Sequence, residues 1–244
     1  MILAGAEFVP YGSSHLAALA VTVLGSAGLV WLGRRGSPAS VQAWSRGLAV
    51  VILVLNVVME IWAFRLSDIA NSLPLQLSDL APFAAGIALW ARTPWAAALT
   101  YYWGLTLSIQ ALITPVYRGP VFGVEFLAFF AIHLLVVCAA IFLAWGLRLR
   151  PSWSGYRVTV VVTVCWAAAM LVVNHIGGSN YGFLNRKPPT GSVLDWLGPW
   201  PWYLLPEAVL VLSIWALMTV LWPSARTGDE PARRSPRPSS DRTQ

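Results

Sequence analysis

Apolar residues fall in seven runs, at about His15–Leu32, Arg46–Leu66, Pro74–Trp90, Pro94–Ile113, Val124–Leu147, Tyr156–Val173 and Trp202–Trp222. Each is long enough, or nearly so, to cross a hydrocarbon core of ~30 Å as a helix of ~20 residues. The third is the weakest, because Gln76, Ser78 and Asp79 interrupt its first turn. Helix breakers separate the runs: Gly33, Gly36 and Pro38, then Pro74, Pro94, Pro115 with Gly119 and Pro120, and Pro151. The sixth connection, from Asn174 to Tyr203, is the one long polar insert. Its Gly177, Gly178, Gly182, Gly191 and Gly198 alternate with Pro188, Pro189, Pro199 and Pro201, so a helix does not continue through it. Its aromatics Tyr181, Phe183, Trp196, Trp200, Trp202 and Tyr203 are of the kind that gather where hydrocarbon meets water. The pattern predicts an all-α, polytopic membrane bundle of seven transmembrane helices over residues 1–222, capped by this connection.

Composition sharpens that reading. Only 11% of the 244 residues are charged and 57% are hydrophobic, against about 25% charged in a water-soluble domain. The net charge is +6, yet the basic residues are spread through short connections and the tail. They form no single stripe, which excludes a nucleic-acid partner. Twelve of the 16 basic residues fall in alternate connections and the tail, among them Arg34, Arg35, Arg46, Arg92, Arg148, Arg150 and Arg157. Arg65, Arg118, Arg186 and Lys187 fall on the other side. The excess of positive charge in cytoplasmic segments then predicts the N-terminus outside, the C-terminus inside and the sixth connection outside. The expected location is the cell membrane, as a multi-pass protein.

No Lys or Arg precedes the first apolar run, so that run is expected to stay as a helix and not to act as a cleaved signal. Residues 223–244 have the Pro/Ser/Arg composition of a disordered basic tail. Cys138 and Cys165 lie inside apolar runs and read as small buried hydrophobes; no metal-ligand spacing is present and no cofactor is implied.

The polar side chains within the runs are not scattered. Asn56 and Glu60 share a face of the second helix at i, i+4, as do Gln76 and Asp79 at i, i+3 at the start of the third. Gln110 lies toward the outer end of the fourth helix and Glu125 opens the fifth. His133 follows Glu125 by eight residues, ~12 Å deeper at 1.5 Å per residue. Asn174 ends the sixth helix, and Glu207 lies in the first turn of the seventh. All are predicted in the outer half or near the midplane, with almost wholly apolar inner halves. Ionisable groups in hydrocarbon cost at least ~2.5 kcal/mol each and must face the interior, pair or meet water. A polar chamber open to the outer face follows, with the sixth connection as its lid.

Each group has two readings. His133 suits proton transfer, or bonds across helices. Asp79 is a chemical group, or a first-turn acid favoured by the helix dipole. Glu60 and Glu125 line the chamber, or pair with Arg65 and Arg118. Gln110 and Asn174 bind substrate, or tie helices together. Asn180, Tyr181, Arg186 and Lys187 hold an anionic headgroup, or form a solvated loop.

Several stretches resemble the YwaF-type family of bacterial multi-pass membrane proteins: LPLQLSDLA (Leu73–Ala81), YYWGLTLSIQALITP (Tyr101–Pro115), EFLAFFAIH (Glu125–His133), VNHIGGSNYGFLNRKP (Val173–Pro188) and LGPWPWY (Leu197–Tyr203). The resemblance covers roughly residues 46–222. Its superfamily includes a vertebrate transmembrane protein described as a phospholipid acyltransferase. The resemblance implies a cysteine and a histidine early in the third helix and a histidine in the fifth as catalytic groups. Here His133 is present, but the third-helix turn reads Pro74-Leu75-Gln76-Leu77-Ser78-Asp79, with neither cysteine nor histidine. Acyl transfer would then need Ser78 as nucleophile beside a base.

Two functions remain open at this point. One is a membrane-embedded lipid acyltransferase or hydrolase in which His133, Ser78 and Asp79 carry the chemistry and membrane lipid is the substrate. The other is a non-catalytic protein that binds or transports a lipid or solute.

Overall fold

The computed structural model describes residues 7–121, 123–188 and 193–222. The tail after Trp222 and the loop residues Pro189 and Gly191 lie outside the described residues. The described chain is helical. Its long elements are α1 (Ser13–Arg35), α2 (Pro38–Ala63), α3 (Leu77–Ala91), α4 (Pro94–Ile113), α5 (Val124–Gly146), α6 (Trp153–Gly177) and α7 (Leu204–Val220). Five of them are long and apolar enough to cross a membrane; α3 and α7, with 15 and 17 residues, are shorter.

Two boundaries differ most from the hydrophobic pattern, each for a local reason. The second helix starts at Pro38 and not at Arg46, because Ser37 accepts the Ser40 N–H at 3.2 Å and proline occupies the first helical position. Arg46 therefore lies on a helix. The sixth helix runs past Val173 to Gly177, where Gly178 takes a left-handed conformation (φ 68°) that ends it. Two short helical turns, Leu66–Asp68 and Ile69–Ser72, also fill the connection before α3. Arg65 starts that turn and donates to the last carbonyls of α2, at Trp62 (2.7 Å) and Phe64 (3.1 Å).

Helices α4 and α5 are the centre. Ala96, Ala97, Ala98, Leu99, Tyr101, Tyr102 and Trp103 of α4 are all buried, against Val136–Ala140 and Phe142–Ala144 of α5. By contrast, only 11% of the apolar window of α1 and of α6 is buried inside the molecule. Leu24, Ile61 and Val164 point outward instead, which is the arrangement of a bundle solvated by hydrocarbon. Small residues set the helix spacing, as expected where no hydrophobic effect drives helices together. Ala81, Ala84, Ala85 and Ala88 make the inner face of α3. A Cβ on Gly33 of α1 would sit 2.8 Å from the backbone of Gly146, so those two helices meet backbone to backbone.

Hydroxyls supply the remaining ties. Tyr102 meets Thr219 of α7 at 2.7 Å, Trp103 donates to Thr163 of α6 at 3.0 Å, and Ser45 of α2 donates to the Leu89 carbonyl of α3 at 2.6 Å. The buried Cys138 sulfur lies 3.3 Å from Ser26 of α1. Cys165 is exposed on α6 and not buried, because its side of α6 faces outward.

The close approach at Gly33 gives a direct test. Gly33→Ala should destabilise the protein by about 1–3 kcal/mol, the usual range for overpacking. Gly28→Ala, on the same helix with nothing within 4 Å of its Cβ position, should be silent. Thermal melting of both variants in the same detergent checks this; equal melting temperatures would refute the backbone contact.

Candidate functional site

The site is built at the N-terminal end of α3. Gln76 precedes the helix, and its N–H donates to Asp79 Oδ2 at 2.9 Å. That is the returning half of a capping box, so Asp79 occupies the first-turn role open to it. Ser78 donates to the other carboxylate oxygen at 3.3 Å. From α2, the buried Asn56 donates to the Asp79 carbonyl at 3.4 Å. Glu60, one turn further along α2, lies within electrostatic reach of Asp79. Its expected partner Arg65 is taken up by backbone carbonyls.

The sixth connection folds down on this end. Asn174, 1% exposed, accepts the Tyr181 N–H at 2.8 Å and the Ser179 hydroxyl at 2.9 Å, and donates to the Tyr181 carbonyl at 3.0 Å. One amide thus satisfies both backbone groups of Tyr181 and bends the chain back at that residue. The Tyr181 hydroxyl donates to the Leu73 carbonyl at 3.0 Å; burial pushes this phenol up from its ordinary value, so it stays a donor at neutral pH. Next, Gly182 N–H donates to Gln76 Oε1 at 2.9 Å, and Trp166 of α6 donates to the Leu75 carbonyl at 2.8 Å. Only glycine fits at 182: its φ is 67°, and a Cβ there would lie 2.4 Å from the Trp166 ring.

Beyond the clasp, Asn180 shapes the loop by accepting the Asn185 and Arg186 N–H groups, each at 3.1 Å, and donating to the Arg186 carbonyl at 2.8 Å. Trp200 donates to the Leu184 carbonyl at 2.9 Å, and Tyr203 donates to the Phe183 carbonyl. Lys187 lies 3.9 Å from Asp195 and 5.6 Å from the centre of the Tyr203 ring. These contacts enclose a cavity of about 380 Å³ between Asn71, Gln76, Asn180, Tyr181, Phe183, Arg186 and Lys187. It offers amide donors and acceptors on one wall and two cations on another, a surface suited to a polar or anionic headgroup.

A family model matches residues 10–219. The chain belongs to the TMEM164 family, a family of membrane proteins. No curated protein and no solved structure matches it.

In this TMEM164-family chain, the sequence-expected groups divide. Asn56, Glu60, Gln76, Ser78, Asp79, Asn174, Asn180, Tyr181, Arg186 and Lys187 belong to the clasp and its cavity. Gln110 is exposed and bonds Thr114 of its own helix at 2.8 Å. Glu125 is exposed in the first turn of α5, and Glu207 is half-buried beside Tyr203 in the first turn of α7. His133 is half-buried, with Nδ1 2.6 Å from the Phe129 carbonyl of its own helix. A carbonyl only accepts, so Nδ1 carries the proton and Nε2 presents a lone pair with no partner among the described residues. No hydrogen bond joins His133 to Ser78.

Sequence reasoning missed His15. It is fully buried, accepts the Tyr11 N–H at Nδ1 (2.8 Å) and reaches the Leu112 carbonyl through Nε2 at 2.6 Å. Both ring nitrogens are used, and Phe8, Tyr11 and Phe130 surround it. It ties α1 to the end of α4 as structure. A histidine directly after Gly12-Ser13-Ser14, at the entry of an apolar run, was the available signal.

Removing the Asn174 amide should release the clasp while leaving the bundle. Asn174→Ala strands the N–H of Tyr181, at about 1–3 kcal/mol for a group left unsatisfied, and leaves its C=O only the 3.4 Å bond from the Leu184 N–H. Hydrogen exchange should rise across residues 179–187 and stay unchanged in α4 and α5. Unchanged exchange in the loop would show that the amide does not hold it.

Proposed function

We propose that this chain is a seven-span protein of the cell membrane, N-terminus outside and C-terminus cytoplasmic, whose clasped cavity binds a phospholipid headgroup from the outer leaflet. Its place in the YwaF-type branch of the family is part of this reading, supported by the stretches Leu73–Ala81 and Val173–Pro188. At ~1.5 Å per residue, α3 and α7 extend ~22 and ~25 Å. Each is short of the core thickness, but each is flanked by aromatic or polar turns that suit an interface. The orientation rests on the arginines, since Arg34, Arg46, Arg92 and Arg148 gather at the end of α3 away from the clasp.

The observation that carries the proposal is the cavity of about 380 Å³ with Arg186 and Lys187 beside amide groups, at the level where spans give way to loop. A phosphate would lie against the cations, and acyl chains along the apolar outer faces of the neighbouring helices. A second reading, acyl transfer, is favoured by the free Nε2 lone pair of His133, which suits a general base. It ranks second because the Ser78 hydroxyl is engaged with Asp79 and makes no bond to the imidazole.

Native mass spectrometry of protein released from phosphatidylcholine nanodiscs tests the binding role. The double substitution Arg186→Gln/Lys187→Gln should lower retained phospholipid roughly tenfold, as expected on losing charge-assisted contacts; wild-type retention would refute the site. An acyl-exchange assay with labelled lysophospholipid separates the two readings. Turnover that His133→Ala abolishes establishes catalysis, and absence of turnover with binding intact leaves a binding protein.

A further inference from the structure

A cavity of about 690 Å³ lies at the C-terminal end of α3, and four arginines from four segments line it. Arg34 belongs to the last turn of α1, Arg46 to the early part of α2, Arg92 follows α3 and Arg148 follows α5. Two of the four are fixed by neighbours. Arg34 Nε donates to the Trp145 carbonyl at 3.1 Å, and the Arg46 guanidinium sits 5.2 Å from the centre of the Trp90 ring. Arg92 and Arg148 make no side-chain hydrogen bond or ion pair among the described residues.

Those two also hold unusual backbone positions, with φ of 53° and 59°. Glycine or asparagine is the ordinary choice at such left-handed exits from a helix. Arginine is kept there at a cost in backbone strain, and strain of this kind gathers at ligand clamps. No carboxylate among the described residues lines the cavity, and the ion pair between Lys187 and Asp195 belongs to the opposite end. Four like charges around one concavity raise a strong positive potential that favours an anion.

Cytoplasmic arginines answer to topology, but topology does not require them to converge. Arg150 and Arg157 stand in the neighbouring segment and do not line the cavity. Val41, Leu89, Leu147 and Leu149 give the cavity an apolar wall, and Gln42 and Ser45 of α2 add polar groups beside it.

We propose that this cavity is a second binding site, for a phosphate-bearing anion clamped by Arg92 and Arg148 against the fixed Arg34 and Arg46. Planar guanidinium groups match phosphate oxygens bidentately, which selects phosphate over a compact halide. The phosphate comes either from a free soluble anion or from an anionic phospholipid headgroup with its first methylenes on the apolar wall. This proposal is independent of the clasped cavity at the other end of α3.

The test uses the full chain and two probes. Inorganic phosphate binding is measured by calorimetry in detergent. Phosphatidylglycerol retention is measured by native mass spectrometry from mixed phosphatidylcholine nanodiscs. Wild type should bind at least one probe, and Arg92→Gln/Arg148→Gln should weaken it roughly tenfold. Arg150→Gln/Arg157→Gln removes the same charge outside the cavity and should stay within about twofold, as screened surface charges do. Binding of both probes identifies a free phosphate site; binding of the lipid alone identifies a headgroup site. Failure of both probes to bind, or equal loss in the two double variants, overturns the proposal. If the first double variant does not fold, the single substitutions Arg92→Gln and Arg148→Gln are compared with Arg150→Gln and Arg157→Gln, and equal losses again overturn it.

Discussion

Backbone polar groups near hydrocarbon must find partners within the protein, and the geometry at the N-terminal end of α3 follows from that need. The turn into α3 leaves the Leu73 and Leu75 carbonyls outside any helix; the Tyr181 hydroxyl and the Trp166 indole take them. The turn after α6 leaves the N–H and C=O of Tyr181, and Asn174 takes both. Gln76 then accepts the next N–H, at Gly182. Each partner lies on an element other than the one it completes, so α3, α6 and the sixth connection form a single unit. The cavity beside Arg186 and Lys187 is what that unit encloses.

The same helix organises the far end. Polar contacts lie at the first turn of α3, an alanine-rich inner face fills its middle, and Arg92 stands at its exit. The lone pair of His133 and the arginine-lined cavity belong to different levels of α5, with the buried Val136–Ala140 and Phe142–Ala144 between them. That arrangement separates the two proposed binding surfaces along the bundle.

Much of this was legible beforehand. Among the described residues, periodicity and breakers located the five helices long enough to cross a membrane and the shorter α3 and α7, because in a hydrocarbon-solvated bundle length and apolarity nearly fix an element. The long sixth connection was legible from its glycines and prolines. Its bonds were not: that Gln76 would meet Gly182, and that Asn174 would remain helical while folding the following residues back on itself, depend on tertiary approach. Gln110 and Glu125 were placed in the chamber by depth alone, and depth does not say which side of a helix faces inward. The convergence of Arg34, Arg46, Arg92 and Arg148 was hidden for a related reason, since counting charge by membrane side discards its position. Arg46 in particular read as a loop residue until the Ser37 cap placed it on α2.

Cysteine accessibility along α3 tests most directly whether this helix carries a covered polar site at one end and a basic one at the other. In a Cys138→Ala/Cys165→Ala background, single cysteines replace Gln76, Ala81, Ala85, Ala88 and Arg92 in turn and meet a membrane-impermeant maleimide on either face of sealed vesicles. The account predicts labelling of the Gln76 position from one face, of the Arg92 position from the other, and of none between. Labelling of both ends from one face, or of positions 81–88 from either, would contradict it.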